Sequence, residues 1–354
     1  MKRSKSPLFF LFIIILSIIS YNNISVHAPV LTLTVATDKP YYYPGDNVTI
    51  YGNLTLDEIP VTDGVVAIQV KNPSGQTLTF RTETTGTPPS TAPYVKVQSI
   101  IPCTSSGGQK DSFTRGSLAY FKITVTNYDI DPRETLVTVS TYYSDNTPFC
   151  YSSFGCTLQP QTTTDVMLSL PIPQEAILGN SAAYGNAYSG LPESGGWPYC
   201  TEASTTFLIT DGGSSSSTTL KQESCLSTTL QVNGNYNITF KLALQATAGN
   251  YMIYVTSRYW AEETFNTTTF AVKLLGDFTG PGYPPPSPPD GVIDINDVRY
   301  FIDSFIAQFY PPPGTVNPQC DLTGPGYPPP SPPDGVIDIN DVRYFIDLFI
   351  QYYS

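Results

Sequence analysis

The sequence predicts a mainly β protein that ends in a small helical module. Two observations carry this prediction. From residue 29 to 275, short alternating runs rich in Thr, Val, Tyr and Ser are separated by Gly, Pro and Asn turns, which is typical of antiparallel strands. Near the C-terminus, two identical segments at 279–303 and 323–347 each end in apolar residues at helical spacing. We therefore expect β-sandwiches followed by a repeated loop and helix.

The first predicted sandwich is discontinuous. Period-2 alternation predicts only four strands at the N-terminal side, whereas a sandwich of this kind needs about seven. Three more runs of the same type occur far downstream. The predicted strands are 31–36, 47–51, 65–70 and 77–81, and then 236–244, 250–257 and 268–274. We therefore predict one domain from 29–94 together with 231–275, interrupted at the Pro-rich loop 87–93.

The intervening segment 95–210 is predicted to be a second sandwich inserted into the first. Its clearest strands are 117–127, 135–141, 164–170 and 205–210, and a Ser/Thr-rich linker follows at 211–230. The alternative is three successive domains. That arrangement is disfavoured because residues 211–275 alone would supply only about three strands.

Two motifs resemble known sandwich families. Residues 38–50, Asp-Lys-Pro-Tyr-Tyr-Tyr-Pro-Gly-Asp-Asn-Val-Thr-Ile, resemble the opening of macroglobulin-like, Ig-type domains. Residues 119–127, Ala-Tyr-Phe-Lys-Ile-Thr-Val-Thr-Asn, resemble a strand of the adhesion-type Ig-like modules found in archaeal and bacterial surface proteins. The resemblance implies two Ig-like sandwiches and says nothing about activity.

The N-terminal residues 1–28 have the pattern of an export signal. Lys2, Arg3 and Lys5 precede an apolar run at 8–19, and Ala28 offers a small residue for cleavage. The alternative is an uncleaved anchor, but the run of about 12 residues is short of the roughly 20 that span a bilayer. The chain ends in polar residues, so we expect no C-terminal membrane tail. We expect a secreted, cell-surface-associated glycoprotein with sequons at Asn47, Asn53, Asn237 and Asn266.

Charge and histidine content narrow the classes of binding partner and of catalysis that the chain can support. The formal net charge is −12, which disfavours binding to nucleic acid or anionic lipid. The single histidine, His27, lies in the predicted signal. The mature chain would then lack the histidine needed for Ser-His-Asp or Cys-His catalysis and for histidine-ligated zinc. We predict that the protein is not an enzyme.

The six cysteines predict disulfides in an exported chain. Cys150 and Cys156 flank a short polar segment and are predicted to close a small loop. The remaining four, Cys103, Cys200, Cys225 and Cys320, allow three pairings, and the sequence does not choose among them.

The C-terminal repeats at 276–354 predict calcium binding. Calcium takes six to eight oxygen ligands, and an EF-hand loop supplies them at positions 1, 3, 5, 7, 9 and 12 with glycine at position 6. Gly291 fits the turn glycine, and Ile293 fits the apolar anchor. The predicted ligands are Asp277, Thr279, Asp290, the Val292 carbonyl, Asp294 and Asp297 in repeat 1, and Asp321, Thr323, Asp334, Val336, Asp338 and Asp341 in repeat 2. The alternative for each loop is a plain turn followed by a helix cap.

A helix is predicted after each loop, with Asp294 or Asn296 as its N-cap. Its apolar stripe should be buried against the other copy. The stripes are Val298, Phe301, Ile302, Phe305, Ile306 and Phe309, and Val342, Phe345, Ile346, Phe349 and Ile350.

A loop followed by one helix, repeated at the end of a secreted multidomain chain, resembles the type I dockerin. The resemblance implies calcium-dependent docking to a cohesin-like surface protein, with Ile295, Asn296, Ile339 and Asn340 at the partner-facing positions. The chain departs from the family in a Pro-rich insert at 281–289 between loop positions 3 and 5, which is either a polyproline II spacer or a disturbance of Asp277 as a ligand.

Three other functions remain open. Dockerin-like modules often end polysaccharide-degrading enzymes, so a carboxylate glycosidase is one alternative. A carbohydrate-binding module using Trp197 or Trp260 is another. In the third, the repeats fold back on the sandwiches as an intrachain calcium clamp. The acids available to a glycosidase are Asp57, Glu58, Glu83, Glu175, Glu193 and Glu202.

Overall fold

The computed structural model describes residues 28–89, 92–212, 233–284, 286–308, 317–325, 327–328 and 330–353. The predicted signal peptide before Ala28, Cys225 and nearly all of the predicted linker lie outside the described residues. The described chain is mainly β, as predicted, with two helices at the C-terminal side.

The first sandwich consists of two five-stranded sheets. In one sheet β4 is central, between β1 and β16, and also pairs with β2 and β5. The other sheet has the order β3-β18-β17-β6-β7. The strands are β1 (Leu31–Leu33), β2 (Ala36–Thr37), β3 (Tyr41–Tyr42), β4 (Asn47–Leu56), β5 (Ile59–Pro60), β6 (Val65–Lys71), β7 (Thr77–Thr84), β16 (Asn235–Lys241), β17 (Gly249–Tyr259) and β18 (Glu262–Val272).

Both sheets of the first sandwich combine strands from distant parts of the sequence. In the register, Ile50 of β4 lies opposite Ile238 of β16, and Ile68 of β6 lies opposite Val255 of β17. Alternate residues of β4 and β16 are buried in one shared core, while their neighbours face outward, which is the period-2 pattern expected of a sheet with one buried face. The strand β6 differs, because all of its residues from Val65 to Val70 are buried.

The second sandwich is formed by a continuous segment. A three-stranded sheet, β13-β10-β8, faces a five-stranded sheet, β12-β11-β14-β15-β9. Phe113, Phe121 and Phe207 meet in its core, with Phe121 and Phe207 ring centroids 5.3 Å apart. The strands are β8 (Val95–Cys103), β9 (Ser112–Thr114), β10 (Leu118–Asn127), β11 (Arg133–Tyr143), β12 (Pro148–Leu158), β13 (Thr163–Pro171), β14 (Gly179–Tyr188) and β15 (Ala203–Thr210).

The predicted disulfide between Cys150 and Cys156 is wrong. Both residues lie in β12, where they pair with Thr141 and Thr135 of β11. Six positions of extended strand span about 20 Å, whereas the Cα atoms of a disulfide are no more than about 7 Å apart. No disulfide joins any two of the described cysteines, which are Cys103, Cys150, Cys156, Cys200 and Cys320. The segment predicted to be a small loop is therefore a strand.

The edge strand β7 of the first sandwich is covered by the second. Its outward Phe80 N–H donates to Ser140 Oγ at 2.9 Å, and the Thr82 N–H donates to Glu202 at 3.1 Å. Arg81 forms a salt bridge with Glu202 at 2.7 Å and lies 3.8 Å from the centre of the Tyr184 ring. Backbone N–H groups that an open sheet edge would expose to water thus form hydrogen bonds between the two sandwiches.

Glu83 makes the stability of this interface depend on pH. Burial, and then the negative charge of Glu202, raise the pKa of Glu83 to about 7 from an ordinary value of 4.5, against the opposing effect of Arg81. Between these values the unfolded chain releases a proton that the folded chain retains, so this group lowers stability as pH rises through that window. Glu83→Gln should therefore flatten the fall in the free energy of unfolding from about pH 5 to about pH 8. Denaturant titrations of the wild type and the variant across that pH range measure this difference. Parallel profiles of unfolding free energy against pH would contradict the raised pKa of Glu83.

The two helices are α1 (Ile295–Ala307) and α2 (Ile339–Tyr353), each following one of the repeat loops. Their inward aromatic residues form a separate small core. The Phe301 and Phe345 rings stack with centroids 4.8 Å apart and planes 10° apart, and Phe278 packs against both. Within the described ranges, no helix combines the length and apolarity needed to cross a membrane.

Candidate cation-binding site

Each repeat forms a loop that closes on its first aspartate. Gly291 N–H donates to Asp277 Oδ2 at 2.7 Å, and Asp290 N–H donates to Asp277 Oδ1 at 3.3 Å. Repeat 2 repeats the arrangement, with Asp321 accepting from Gly335 at 2.6 Å and from Asp334 at 3.3 Å. The Pro-rich insert therefore does not separate the first aspartate of either loop from the downstream acids.

The turn glycine and the apolar anchor occupy the positions that the loop pattern predicts. Gly291 has φ +86° and Gly335 has φ +89°, in the left-handed region that glycine reaches without strain. Ile293 and Ile337 are buried in the helical core. These residues fix the direction in which the loop enters the following helix.

Asp297 is the buried centre of the first loop. Its Oδ1 accepts from the N–H groups of Phe278 at 2.6 Å and Thr279 at 2.9 Å, and its Oδ2 accepts from Asp294 N–H at 2.8 Å. Asp341 makes the corresponding three bonds in the second loop. Both aspartates are 0% exposed. One carboxylate thus ties the start of each loop to its end.

Asp294 is the helix N-cap, as predicted. Its Oδ1 accepts from Asn296 N–H at 2.7 Å, and with Asp297 it forms a capping box. The Asn296 side chain also donates to Asp294 Oδ2 at 3.1 Å. A residue predicted to be a cation ligand therefore already has a structural role at the end of the loop.

Thr279 holds the Pro-rich insert closed. Its hydroxyl accepts from Ser287 N–H at 3.0 Å and donates to the Ser287 carbonyl at 3.2 Å. Thr323 and Ser331 form the same pair in repeat 2. Among the described residues, the Oγ atoms of Ser287 and Ser331 are themselves buried and have no hydrogen-bond partner.

Burial raises the pKa of three aspartates in the loops. Burial, and then the negative charges of Asp297 and Asp290, raise the pKa of Asp277 to about 6 against the opposing N–H bond from Gly291. Burial also raises the pKa of Asp297 and of Asp341. None of the ion pairs between described residues involves a loop carboxylate. Each loop therefore gathers negative charge that no described lysine or arginine neutralises.

The donor atoms have the chemistry of a hard-cation site, but they do not converge on one point. Among the described residues, no three acidic, cysteine or histidine side chains are arranged to hold a metal ion. Carboxylate, hydroxyl and carbonyl oxygens are the ligands that calcium takes. Each loop also retains one buried hydroxyl oxygen without a partner. On these two grounds the chemistry of the donor atoms, although not their arrangement, fits a bound cation.

The predicted partner-facing residues lie at the start of the helices. Ile295 and Ile339 are each 58% exposed, whereas the amides of Asn296 and Asn340 are bonded to Asp294 and Asp338. Part of the predicted buried stripe is exposed instead, which corrects the sequence prediction. The phenylalanine side of each helix faces the small core, and the isoleucine side faces outward at Ile302, Ile306, Ile346 and Ile350.

The loops lie beside the first sandwich. A cleft of about 640 Å³ is lined by Tyr41 and Tyr43 of the sandwich and by Asp277 and Asp321 of the two repeats. A Cβ atom at Gly291 would lie 3.4 Å from the Ala248 side chain, so loop and sandwich are in close contact there.

The acids considered for glycosidase chemistry are dispersed. Glu83 and Glu202 meet at Arg81, and Glu193 pairs with Lys71. Asp57 and Glu58 form a turn with positive φ between β4 and β5, and Glu175 lies in the turn between β13 and β14. Of the two tryptophans, Trp197 is buried beneath Arg258, and Trp260 is 74% exposed in the β17–β18 turn.

No protein-family model matches this chain, and no curated protein matches it. Many solved structures are similar to parts of it. A cycloisomaltooligosaccharide glucanotransferase from Paenibacillus sp. is 14% identical over 32% of this chain and 14% of that chain, with a TM-score of 0.26. The C-terminal domain of wzt is 11% identical over 36% of this chain and 85% of that chain, with a TM-score of 0.28. The CARDB domain of a Pyrococcus furiosus protein in complex with di-metal ions is 15% identical over 33% of this chain and 89% of that chain, with a TM-score of 0.24. The chain spans about one seventh of the glucanotransferase. At these TM-scores the similarities carry no functional argument.

Proposed function

We propose that the chain is a non-catalytic secreted or cell-surface protein whose C-terminal repeats bind calcium and dock it to a partner protein. The two sandwiches, of Ig-like type, would serve as a stalk or adhesive surface. The predicted domains are 29–94 with 231–275, the inserted 95–210, and the dockerin-like 276–354.

The observation that carries this proposal is the duplicated aspartate network. In both repeats the first aspartate accepts from the turn glycine, and the last aspartate accepts three backbone N–H groups while fully buried. An acidic loop with uncompensated charge gains stability from a bound cation, because the cation removes carboxylate repulsion. The glycine and anchor positions also follow the EF-hand pattern.

The duplicated isoleucine faces support docking. Ile295, Ile302 and Ile306 lie on one side of α1 at spacings that share a helix face, and they are 42–58% exposed. The matching residues of α2 are Ile339, Ile346 and Ile350, which are 49–59% exposed. Exposed apolar residues clustered on a helix are typical of a surface that binds another protein.

A second candidate is favoured by the cleft beside the loops. Because Tyr41 and Tyr43 share it with Asp277 and Asp321, a bound cation would alter the charge at the boundary with the first sandwich. The repeats would then act as an intrachain calcium clamp. This candidate predicts calcium binding without a partner protein.

Calcium titration of the full chain tests the proposal. We expect two binding events by calorimetry and a rise in the melting temperature of the helical signal, because a ligand that binds only the folded state stabilises it. Absence of heat and of any thermal shift would overturn calcium binding.

A matched variant tests docking separately. Ile302→Glu with Ile346→Glu alters only exposed side chains, so calcium uptake should be unchanged. Calcium-dependent retention of extracellular proteins on the immobilised chain should be lost in this variant. Equal retention by both chains would contradict the helix-face surface, and retention by neither would favour the intrachain clamp.

A further inference from the structure

The Pro-rich insert interrupts the loop after position 3, and the chain rejoins the loop at a serine. The Gly280 N–H and the Thr279 hydroxyl both donate to the Ser287 carbonyl, at 3.3 and 3.2 Å, and Ser287 N–H donates back to the Thr279 hydroxyl. Gly324, Thr323 and Ser331 make the same contacts in repeat 2. Residues 279 and 280 thus contact Ser287 where the Pro-rich excursion rejoins the loop, beside position 3.

The serine hydroxyl is directed into a crowded, buried space. A Cβ atom at Gly280 would lie 2.9 Å from Ser287 Oγ, 2.7 Å from the Pro288 carbonyl oxygen and 3.6 Å from Asp290 Cβ. The corresponding distances at Gly324 are 2.9, 2.5 and 3.7 Å. The Ser287 hydroxyl and the Cβ atom of the position 5 aspartate therefore both lie within 4 Å of one point beside Gly280, and only glycine leaves room for this approach.

A buried hydroxyl without a partner is destabilising, yet among the described residues both repeats contain one at the same place. The predicted hydroxyl ligand Thr279 has already used its proton and one lone pair in closing the excursion. Ser287 and Ser331 are thus the hydroxyl oxygens still available to an ion next to the acidic loops.

We propose that Ser287 and Ser331 each supply a hydroxyl oxygen to the divalent cation bound by their loop, in place of Thr279 and Thr323. The inference rests on the proposed calcium binding. In this arrangement the Pro-rich insert supplies a ligand of the site and is not merely a spacer.

The test compares the full chain with the Ser287→Ala, Ser331→Ala double variant. Calcium affinity, measured by calorimetry, should fall on the order of tenfold per site. The melting temperature in chelator should stay unchanged or rise, because alanine removes a buried polar atom that has no partner. A Tyr283→Phe, Tyr327→Phe chain is the matched control, since it removes hydroxyls from the same excursions that instead bond to Asp303 and Asp347.

The outcomes separate the two proposals. Unchanged calcium affinity in the serine variant overturns the ligand assignment while leaving calcium binding intact. An equal loss of affinity in the tyrosine variant, or a lower melting temperature of the serine variant in chelator, also overturns it, because the effect would then be structural. A wild-type chain that takes up no calcium overturns both the function and this inference.

Discussion

Replacing Asp297 with alanine should release the first loop from α1 even without calcium. The change leaves the N–H groups of Phe278, Thr279 and Asp294 without their acceptor. Each buried donor left unpaired costs about 1–3 kcal/mol, so we expect the repeat to lose about 3 kcal/mol or more. Hydrogen exchange in chelator should then accelerate across 276–300, while peptides from β4 exchange as in the wild type.

Asp303→Ala is the matched control for that experiment. Asp303 is on the same helix, but it is exposed, and within the described part of the chain it accepts only from the Tyr283 hydroxyl. Removing the Asp303 carboxylate should lower the free energy of unfolding by well under about 1 kcal/mol, as is usual for surface substitutions. If both variants exchanged alike, Asp297 would not be the centre of the loop.

Replacing Arg81 with methionine should destabilise the contact between the two sandwiches by about 3–5 kcal/mol near neutral pH. The change removes the only described cation paired with Glu202, and Glu83 loses the same partner. Both carboxylates would then be left in a poorly solvated interface. Denaturant unfolding at neutral pH measures this loss, and part of the stability should return at acidic pH as the carboxylates become protonated.

Lys122→Met is the control for Arg81→Met. Lys122 pairs with Asp165 on the outer face of the second sandwich, where the two side chains are 31% and 54% exposed and 3.7 Å apart. Exposed ion pairs of this kind contribute about 0–1 kcal/mol. If Arg81→Met lowered the free energy of unfolding no more than Lys122→Met, water would be solvating Glu83 and Glu202 in place of the arginine.

Alternation predicted many of the strands, but not all of those whose buried residues are β-branched. The strands β4, β6, β10 and β17 overlap predicted runs, although β4 continues to Leu56, past the predicted end at residue 51. The strand β8 was missed despite its buried Val95, Val97 and Ile100. The strands β12 and β14 were missed, because β12 carries Ser, Gly and Cys and β14 carries Ala, Gly and Asn. These residues have low strand propensity by themselves. Pairing with β11 on both of its sides holds them in the sheet.

The loop pattern predicted Gly291, Ile293 and the cap at Asp294, because those roles depend on local spacing. It gave no indication of Ser287, whose place in the loop depends on a contact formed across eight residues of Pro-rich chain. It also could not tell which side of each helix would be covered. Aromatic stacking of Phe301 on Phe345 decides that in three dimensions, and it leaves Ile302 outside.

Because the first sandwich is interrupted in the sequence, the two sandwiches complete their sets of strands at different times during synthesis. The second sandwich has all of its strands once residue 210 has been made, because β8 to β15 pair only among themselves. The first sandwich must wait for β16, β17 and β18, the last of which ends at Val272. Until then β4 and β6 each lack a neighbouring strand. During biosynthesis the inserted unit can therefore fold while its host is still an incomplete pair of sheets.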